Sequence, residues 1–558
     1  MPRPHLLVRL AAAGTLLASL AACTSASSDG TDASKPLPTI TGNPPVTLNV
    51  FAPQFPGVNL KTNKFTKLIK QKFNITINWQ TTGSDGTAAK EKRQISLASG
   101  DLPDLYLLIP WVDQFSQTEL LKYSGQGVIQ PLNQLIDQYG PNIKKAFAAE
   151  PEFKGMATAP DGKIYGMPQW NDCFHCTYTN KLWINSAWLK KLGLEMPKTT
   201  DELRDVLRAF KTKDPNGNGK ADEVPLSGDT TDPILPYLMN AFVYAPDGST
   251  IPSTNPTLAL NNGKTVVQAN TEGWREGLKY IKSLYDEGLI DSSVFTQNAD
   301  GLKKQGDNAG AVILGSAAVK HPGIAVTLNQ KDGRDKNYDV VPPLTGPDGK
   351  SYATYTSSSM PGSTFVLTSK ASQTEQIQAV KMLNYIFSQE GQLNGIFGEE
   401  GKGWTEPGKS DVALDDSLKA AYTVPFRAEP SNDLWGALAQ YNNTAQFRNT
   451  QAVATDQKSA DGYERRLFEA TKLYEGHEDK SQNFPYGQAW VDPKVSSELA
   501  TLQTNIGTSV QQSAAQFVTG KKSLDSDWDS YVSDLDKLGL KRFLQIYQEA
   551  HDKSSAKK

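Results

Sequence analysis

The residues from Asp214 to Glu223 have the spacing of a cation-binding loop, because oxygen-bearing side chains recur along them. Asp, Asn, Asn, Asp and Glu stand at positions 1, 3, 5, 9 and 10 of this run. Gly219 stands at position 6, where the chain must turn sharply around one point and a Cβ atom would resist the turn. The predicted ligands of one Ca²⁺ ion are Asp214, Asn216, Asn218, the backbone carbonyl of Lys220, Asp222 and Glu223.

The loop departs from an EF-hand at its end. An EF-hand supplies a bidentate Glu at position 12, whereas this sequence has Pro225 there and brings its last carboxylates in early. We therefore predict a structural ion and not a paired calcium sensor. The alternative is a surface turn that binds nothing, but turn chemistry explains the Asn and Gly residues and leaves Asp222 and Glu223 unexplained.

A helix must position this loop, since the preceding residues carry a clear helical pattern. Thr199 and Glu202 have the spacing of a capping box. Apolar residues then recur at helical spacing on one face, namely Leu203, Val206, Leu207 and Phe210. The loop is thus predicted to follow directly after an amphipathic helix.

The amino terminus reads as an export signal. Arg3 and Arg9 precede an apolar run at 10–20, which is too short to span a bilayer. The sequence Leu-Ala-Ala-Cys comes at the end of this run and places a cysteine at position 23. This pattern resembles a bacterial lipobox and predicts a signal peptide at 1–22 and lipidation of Cys23. A plain secretory signal with an incidental cysteine is the alternative. The Ser-, Thr- and Pro-rich residues 23–45 are predicted to be a flexible tether.

Composition narrows the classes further. The chain has 558 residues, 38% hydrophobic and 21% charged, which is ordinary globular composition and enough for two or three lobes. A net charge of −3 argues against nucleic acid as a partner.

Cys173 and Cys176 are the remaining cysteines, and three interpretations stay open for them. An exported protein folds in an oxidising place, so a local disulfide ranks first and free thiols second. A redox pair would need the motif to open a helix after a strand, and a zinc site with His175 would lack an obvious fourth ligand.

The body of the chain opens with strands and helices in alternation. The predicted spans are 46–51 (strand), 61–73 (helix), 75–79 (strand), 88–98 (helix) and 105–109 (strand). This order is typical of a parallel sheet covered by helices, whose ligands lie beyond the carboxyl ends of the strands. Those ends carry Gln54 and Trp111.

Several fragments in order resemble one family. They are Asp-Gly-Lys-Ile-Tyr-Gly-Met-Pro at 161–168, the run at 188–202, the cation loop at 214–223, and the runs at 277–291, 341–349, 399–401 and 528–550. The chain is similar, over most of its length from Val46, to the extracellular solute-binding proteins of family 1, which deliver sugars to ABC importers. The cation loop after its helix resembles the branch that contains the alginate-oligosaccharide-binding proteins.

The resemblance implies an α/β, two-lobe, periplasmic-binding-protein-like fold with crossing strands between the lobes. It implies a monomer that is lipid-anchored on the extracellular face of the cell membrane, captures an oligosaccharide and passes it to ABC permease subunits. The expected boundaries are 1–22 (signal), 23–45 (tether), 46–168 (lobe 1), 169–363 (lobe 2 with the calcium loop), 364–430 (return to lobe 1, with a further crossing near 420–435) and 431–558 (mainly lobe 2).

A sugar site pairs flat aromatic rings with planar polar groups. Candidate contacts in turns or at the crossings are Gln54, Trp111, Gln169, Trp170, Asp172 and Trp435, and the resemblance adds Glu400 and Trp404, where the alginate-binding relatives have an acidic and an aromatic contact. Each tryptophan could instead anchor a loop. The competing classes are a surface glycoside hydrolase or lyase and a peptide receptor, but no local catalytic motif is present, so we expect no enzyme activity.

Overall fold

The computed structural model describes residues 37–230, 232–246, 257–356, 361–425, 431–442 and 444–555. The predicted signal peptide, Cys23 and most of the predicted tether lie outside these residues. From Thr39 onward the chain forms one compact unit. Within the described ranges, none of the helices combines the length and the apolar character that crossing a membrane requires.

The strands are short, and the longest two open the chain. They are β1 (Val46–Pro53), β2 (Ile75–Thr82), β3 (Leu105–Leu107), β4 (Trp170–Asn171), β5 (Leu182–Asn185), β6 (Leu258–Asn261), β7 (Lys264–Val267), β8 (Ser316–Ala318), β9 (Tyr338–Val341), β10 (Phe365–Leu367), β11 (Tyr422–Thr423), β12 (Tyr441–Asn442) and β13 (Gln451–Ala452).

Helices make up most of the remaining regular structure. They are α1 (Lys64–Phe73), α2 (Gly86–Ser99), α3 (Gln117–Gly125), α4 (Asn133–Tyr139), α5 (Pro141–Ala149), α6 (Pro151–Ala157), α7 (Phe174–Thr177), α8 (Ser186–Leu192), α9 (Thr200–Thr212), α10 (Ile234–Met239), α11 (Glu272–Asp286), α12 (Ala299–Gly306), α13 (Pro322–Ala325), α14 (Gln373–Ile386), α15 (Gln389–Ile396), α16 (Ala445–Arg448), α17 (Tyr463–Lys472), α18 (Ser496–Val518), α19 (Trp528–Lys537) and α20 (Leu540–Ser555).

The first sheet has the order β10-β3-β1-β2. β1 pairs in parallel with β2 and β3, and β10 returns antiparallel to β3. The connecting helices begin at side-chain caps, since Asn63 accepts from the backbone N–H of Phe65 and Asp85 from that of Ala88. The predicted alternation of strands and helices is thus confirmed, and so is the α/β class.

The second sheet has the order β8-β5-β9 and is antiparallel throughout. Helices α9, α11, α18 and α20 share its hydrophobic core. The capping box of α9 is present, with Thr199 accepting from the N–H of Glu202 and Glu202 accepting from that of Thr199. Its apolar face is buried as its spacing predicts, so the cation loop extends from a well-anchored helix end.

The two sheets are joined by segments that meet at one buried amide. Gln440 is completely buried; its Nε2 donates to the carbonyl of Leu438 at 2.9 Å and to that of Leu108 at 3.3 Å, and its Oε1 accepts from the Thr364 hydroxyl. One residue further on, Tyr441 in β12 pairs with Trp170 in β4. Chain segments near 170, 364 and 440 are therefore held together beside the end of β3 and the start of β10.

A further segment, 484–491, touches both cores. Phe484 and Val491 belong to the core of the second sheet, while Trp490 packs with Phe51 and Tyr106 of the first. The side chain of Gln117 on α3 also donates to the carbonyl of Gly487 at 2.8 Å.

The amino-terminal part of the body begins earlier than expected. The residues predicted as the end of the tether are fixed by α4 and α14: the N–H of Ile40 donates to the Tyr139 hydroxyl at 3.1 Å, Lys381 Nζ donates to the Gly42 carbonyl at 2.7 Å, and Gln378 Nε2 donates to the Pro44 carbonyl at 2.9 Å. The prediction of a tether reaching residue 45 is wrong at this end, because side chains of both helices satisfy the polar backbone of 40–44.

Candidate functional site

The cation loop folds back on itself around its own carboxylates. Asp214 Oδ2 accepts from the N–H of Gly219 at 3.0 Å, and Asp222 accepts from the side-chain amides of Asn216 and Asn218 at 3.0–3.1 Å. Gly219 has a φ of +72°, as the tight turn at position 6 requires. Residues from both ends of the loop thus converge on one region.

Glu223 is the group that best tests whether a cation fits here. Its Oε1 is buried and has no hydrogen-bond partner. Burial raises the pKa of Glu223, and the charges of Asp214 and Asp222 raise it further. A hard cation would relieve both effects, because it replaces the missing partner and attracts the three carboxylates. The donor set therefore fits Ca²⁺.

Three of the candidate tryptophans are packed inside the protein. Trp170, Trp404 and Trp435 are 2%, 9% and 5% exposed. Trp435 packs edge-on against Phe65 and Trp79, with ring centroids 4.9 and 5.6 Å apart, and its Nε1 donates to Thr66 Oγ1 at 2.9 Å.

The other two indoles are equally enclosed. Trp170 lies against Phe153 at 5.2 Å, and Trp404 clusters with Leu393 and Tyr422. None of the three rings offers the open face that stacking on a sugar needs. In this structure each ring is part of a core, and the assignment of the three residues as ligand contacts stays a prediction.

Trp111 is the opposite case, with 57% of its surface exposed. It lies just beyond β3, in a turn whose conformation is held by a buried ion pair. Arg93 is fully buried and donates Nε to Asp113 Oδ2 at 2.6 Å and Nη2 to Oδ1 at 3.0 Å. This bidentate pair fixes the backbone that presents the Trp111 ring to solvent.

The planar polar candidates also differ in how deeply their side chains are buried. Gln169 is buried, and its Nε2 donates to the carbonyl of Ala437 at 2.6 Å, so it ties the segment before β4 to the segment before β12. Gln54 is half-buried beyond β1, and its Oε1 accepts from the N–H of Leu60 at 3.0 Å. Asp172 accepts from the N–H of Ala445 at 2.6 Å, and Glu400 is exposed.

Tyr355 is a residue that the sequence did not single out. Burial and the charges of Glu152, Glu478 and Asp172 together raise its pKa to about 12. Glu152 belongs to α6, whereas Tyr355 packs against Tyr178 of the second core at a centroid distance of 5.4 Å. The half-buried Tyr355 ring thus lies in the electrostatic field of carboxylates that are distant from it in the sequence.

The carboxylates around Tyr355 form what we call the acidic face, consisting of Glu150, Glu152, Asp172 and Glu478. Burial raises the pKa of Glu150, and the charges of Asp172 and Glu152 add to the increase. Lys480 lies over the Tyr355 ring, with Nζ 4.7 Å from its centroid. Only tertiary structure brings these groups together, since they come from separate stretches of the sequence, so no local signal could have found them.

Cys173 and Cys176 form a disulfide, as the first-ranked interpretation expected. The nearby Lys181 is buried, and its Nζ donates to the carbonyls of His175 and Tyr178. Although the two sulfurs and a His175 nitrogen lie within 4.8 Å of one another, both sulfurs are used by the S–S bond. The motif therefore braces the turn that follows β4.

Known proteins match the chain over most of its length. The model of the bacterial extracellular solute-binding protein family matches residues 59–393. The fructooligosaccharide ABC transporter substrate-binding protein FusA of Streptococcus pneumoniae serotype 4 is 29% identical over 515 residues, which cover 88% of this chain and 88% of FusA.

Solved structures agree with this match. FusA in complex with kestose has a TM-score of 0.69 at 26% identity, covering 92% of this chain and 100% of FusA, and a FusA EF-hand mutant in complex with fructo-nystose gives the same values. The alginate-binding protein AlgQ2, at 23% identity, shares the fold with a TM-score of 0.64 and coverage of 91% of this chain and 98% of AlgQ2. These matched proteins are two-lobe solute-binding proteins and not enzymes. The chain therefore belongs to the bacterial extracellular solute-binding protein family, as the fragments of its sequence indicate.

Proposed function

We propose that this protein captures a neutral oligosaccharide between its two lobes and delivers it to an ABC importer. The observation that carries the proposal is the half-buried Tyr355 ring, which packs against Tyr178 and whose hydroxyl feels the charges of carboxylates from distant parts of the chain. FusA, whose name and solved complexes concern fructooligosaccharides, makes short fructose-containing oligosaccharides the first candidates.

The chemistry of the acidic face suits a sugar without charge. A tyrosine ring offers an apolar surface to the C–H groups of a sugar, and carboxylates accept hydrogen bonds from its hydroxyls. The same carboxylates would repel a uronic acid, because like charges at short range in a partly buried place are costly. We therefore expect selection against acidic oligosaccharides.

The proposed lobes follow the two sheets. Lobe 1 would comprise the first sheet with 46–168 and the described residues of 364–438, and lobe 2 would comprise the second sheet with the described residues of 173–356 and most of the chain from 444 onward. The segments around Gln440 form the hinge. A ligand that contacts both lobes shifts the equilibrium toward closure, whereas one that contacts a single lobe does not. Gln54 and Trp111 would line lobe 1, and Tyr355 would line lobe 2.

The cation loop would hold one structural Ca²⁺ through Asp214, Asn216, Asn218, the Lys220 carbonyl, Asp222 and Glu223. The buried, unpartnered oxygen of Glu223 supports this assignment. The relative FusA has been solved as an EF-hand mutant, so a calcium-type loop is present in that protein. The ion would gather carboxylates that otherwise repel one another and would take no part in ligand capture.

The body would stay at the extracellular face of the membrane as a monomer, held by a lipid on Cys23. The motivation is the short apolar run followed by Leu-Ala-Ala-Cys. Cys23→Ser should release the protein from the membrane fraction. A variant that remains fully membrane-bound would show that another element anchors it.

Calorimetry with the mature protein tests the ligand class. We expect binding of kestose or another neutral oligosaccharide and no comparable binding of oligouronates. Tyr355→Ala should weaken binding at least about tenfold, since a stacking ring near the centre of a site contributes on the order of 1–3 kcal/mol.

Tyr285→Ala, a partly buried tyrosine of α11 elsewhere in lobe 2, serves as the matched control and should bind normally. If oligouronates bind and neutral sugars do not, the charge argument is wrong. If no carbohydrate shifts the melting temperature and a peptide does, the oligosaccharide class is wrong.

A further inference from the structure

A cavity of about 370 Å³ lies in lobe 2, and the proposed function does not use it. The half-buried ring of Tyr352 forms part of its wall. Planar polar side chains complete it, namely Asn261, Gln268, Asp479 and Gln482. An aromatic ring beside amides and a carboxylate is the combination that recognises a carbohydrate, because it offers a flat apolar surface together with donors and acceptors for hydroxyls.

Two chain segments connect this cavity with the acidic face. Tyr352 stands three residues before Tyr355, so their Cα atoms can be no more than about 11 Å apart. Asp479 in the cavity wall likewise follows Glu478 of the acidic face. One short stretch of chain therefore presents a ring to each place, and a second short stretch presents a carboxylate to each.

Direct contacts fix the two places relative to each other. The Asn483 side-chain amide donates to the carbonyl of Tyr355 at 3.4 Å and accepts from the Tyr244 hydroxyl at 2.5 Å. The Tyr244 ring packs against Tyr352 with centroids 5.8 Å apart. The cavity wall is thus tied to the backbone of Tyr355 through Asn483.

The polar wall is also arranged in advance of any ligand. Gln268 Nε2 donates to Gln482 Oε1 at 2.9 Å, and Gln482 Nε2 donates to Asp479 Oδ2 at 2.8 Å. Asp479 Oδ1 further accepts from the N–H of Ser481 at 3.1 Å. A wall held by its own hydrogen bonds loses little conformational entropy when a ligand binds.

We propose that this cavity is an extended subsite, which holds sugar units of a longer oligosaccharide beyond those enclosed at Tyr355. This inference rests on the proposed function, because it assigns the cavity to the same ligand. Its consequence is a dependence of affinity on chain length: short ligands fill only the space at Tyr355, and longer ones also contact Tyr352.

A length series of neutral fructooligosaccharides, with kestose at the short end, tests the subsite by calorimetry on the mature protein. Affinity of the unaltered protein should rise with length. Tyr352→Ala should lower affinity for the long members about tenfold, the cost of roughly one lost ring contact, and leave kestose binding unchanged. Asn261→Ala, at an exposed position in β6, should act in the same direction and keeps the test valid if the tyrosine variant does not fold. Tyr285→Ala should change neither the affinity for the long members nor the affinity for kestose.

Two results would overturn the subsite while the proposed function survives. In one, the affinity of the unaltered protein does not depend on ligand length. In the other, Tyr352→Ala and Asn261→Ala leave long ligands unaffected, or weaken kestose as much as the long members. If the unaltered protein binds no neutral oligosaccharide of any length, the proposed function itself fails, and the subsite fails with it.

Discussion

The cation loop and the acidic face both collect carboxylates, but they arrange them differently. In the loop, Asp214, Asp222 and Glu223 converge within ten residues of chain, and amides of the same loop turn toward them. In the acidic face, Glu152 and Glu478 come from distant parts of the chain, and both charges act on the same tyrosine.

The difference shows that geometry, and not residue type, decides what a group of carboxylates can bind. Carboxylates that converge on one point suit a cation, since their mutual repulsion is then relieved by a single charge. Carboxylates spread around an aromatic ring can each accept a hydroxyl without competing for one position. The first arrangement needs a rigid turn, and the second needs tertiary structure that brings distant segments of the chain together.

The largest expected effect concerns the packed rings around Trp435, which contrast with the half-buried ring of the acidic face. Trp435→Ala should lower the free energy of unfolding by about 3–5 kcal/mol, because it removes a buried indole from contact with Phe65 and Trp79. Denaturant titration measures the loss, and the folded fraction should bind oligosaccharide normally. Trp111→Ala, at an exposed ring, should change stability by no more than about 0.5 kcal/mol. A Trp435 variant that keeps full stability but fails to bind oligosaccharide would show that this residue contacts the ligand.

Calcium removal gives the next largest effect and should affect the loop alone. At about 10–100 times the dissociation constant, bound Ca²⁺ adds roughly 1–3 kcal/mol to stability, so a chelator should lower the melting temperature. Glu223→Gln should abolish this response.

In the calcium-free protein, the raised pKa of Glu223 predicts the opposite effect of Glu223→Gln on the melting temperature. Because this pKa is raised in the folded state, the stabilisation by protonated Glu223 is present below its unfolded pKa and is lost as the pH rises through the folded value. At neutral pH, calcium-free Glu223→Gln should therefore melt higher than the calcium-free parent. Equal melting temperatures of the parent protein with and without Ca²⁺ would show that the loop binds no Ca²⁺.

The smallest expected effect is on the acidic face itself. Glu152→Gln should weaken neutral oligosaccharides by about fivefold, since it replaces a charged acceptor of hydroxyl groups with a neutral one, at a cost of about 1 kcal/mol. Oligouronates should bind slightly better to the variant, and the calcium response should not change. Glu195→Gln, at an exposed position before α9, is the matched control. An unchanged preference for neutral sugars in the Glu152 variant would mean that another group sets the selectivity.

Local patterns predicted the elements that depend on nearby residues. The capping box of α9, the glycine turn of the cation loop and the alternation of strands and helices from β1 to β3 all follow from spacing along the chain. The tryptophans could not be assigned in this way, because Trp404 and Trp111 both follow strands or turns, and only long-range packing buries the first and exposes the second. Tyr355 was missed for the same reason, since its neighbours Glu152 and Glu478 are far from it in sequence.

The placement of β10 has a consequence for how the protein reaches its folded state. β10 closes the first sheet against β3, and the hydroxyl of Thr368 just after it donates to the carbonyl of Pro103, 265 residues earlier. Because the chain is proposed to cross the membrane amino terminus first, this partner arrives only after the intervening residues have been exported. Throughout that interval the edge of β3 would be open to other strands. The first sheet therefore cannot close until β10 has been exported, so slow folding and a demand for folding factors outside the membrane should be concentrated in the part of the chain that emerges first.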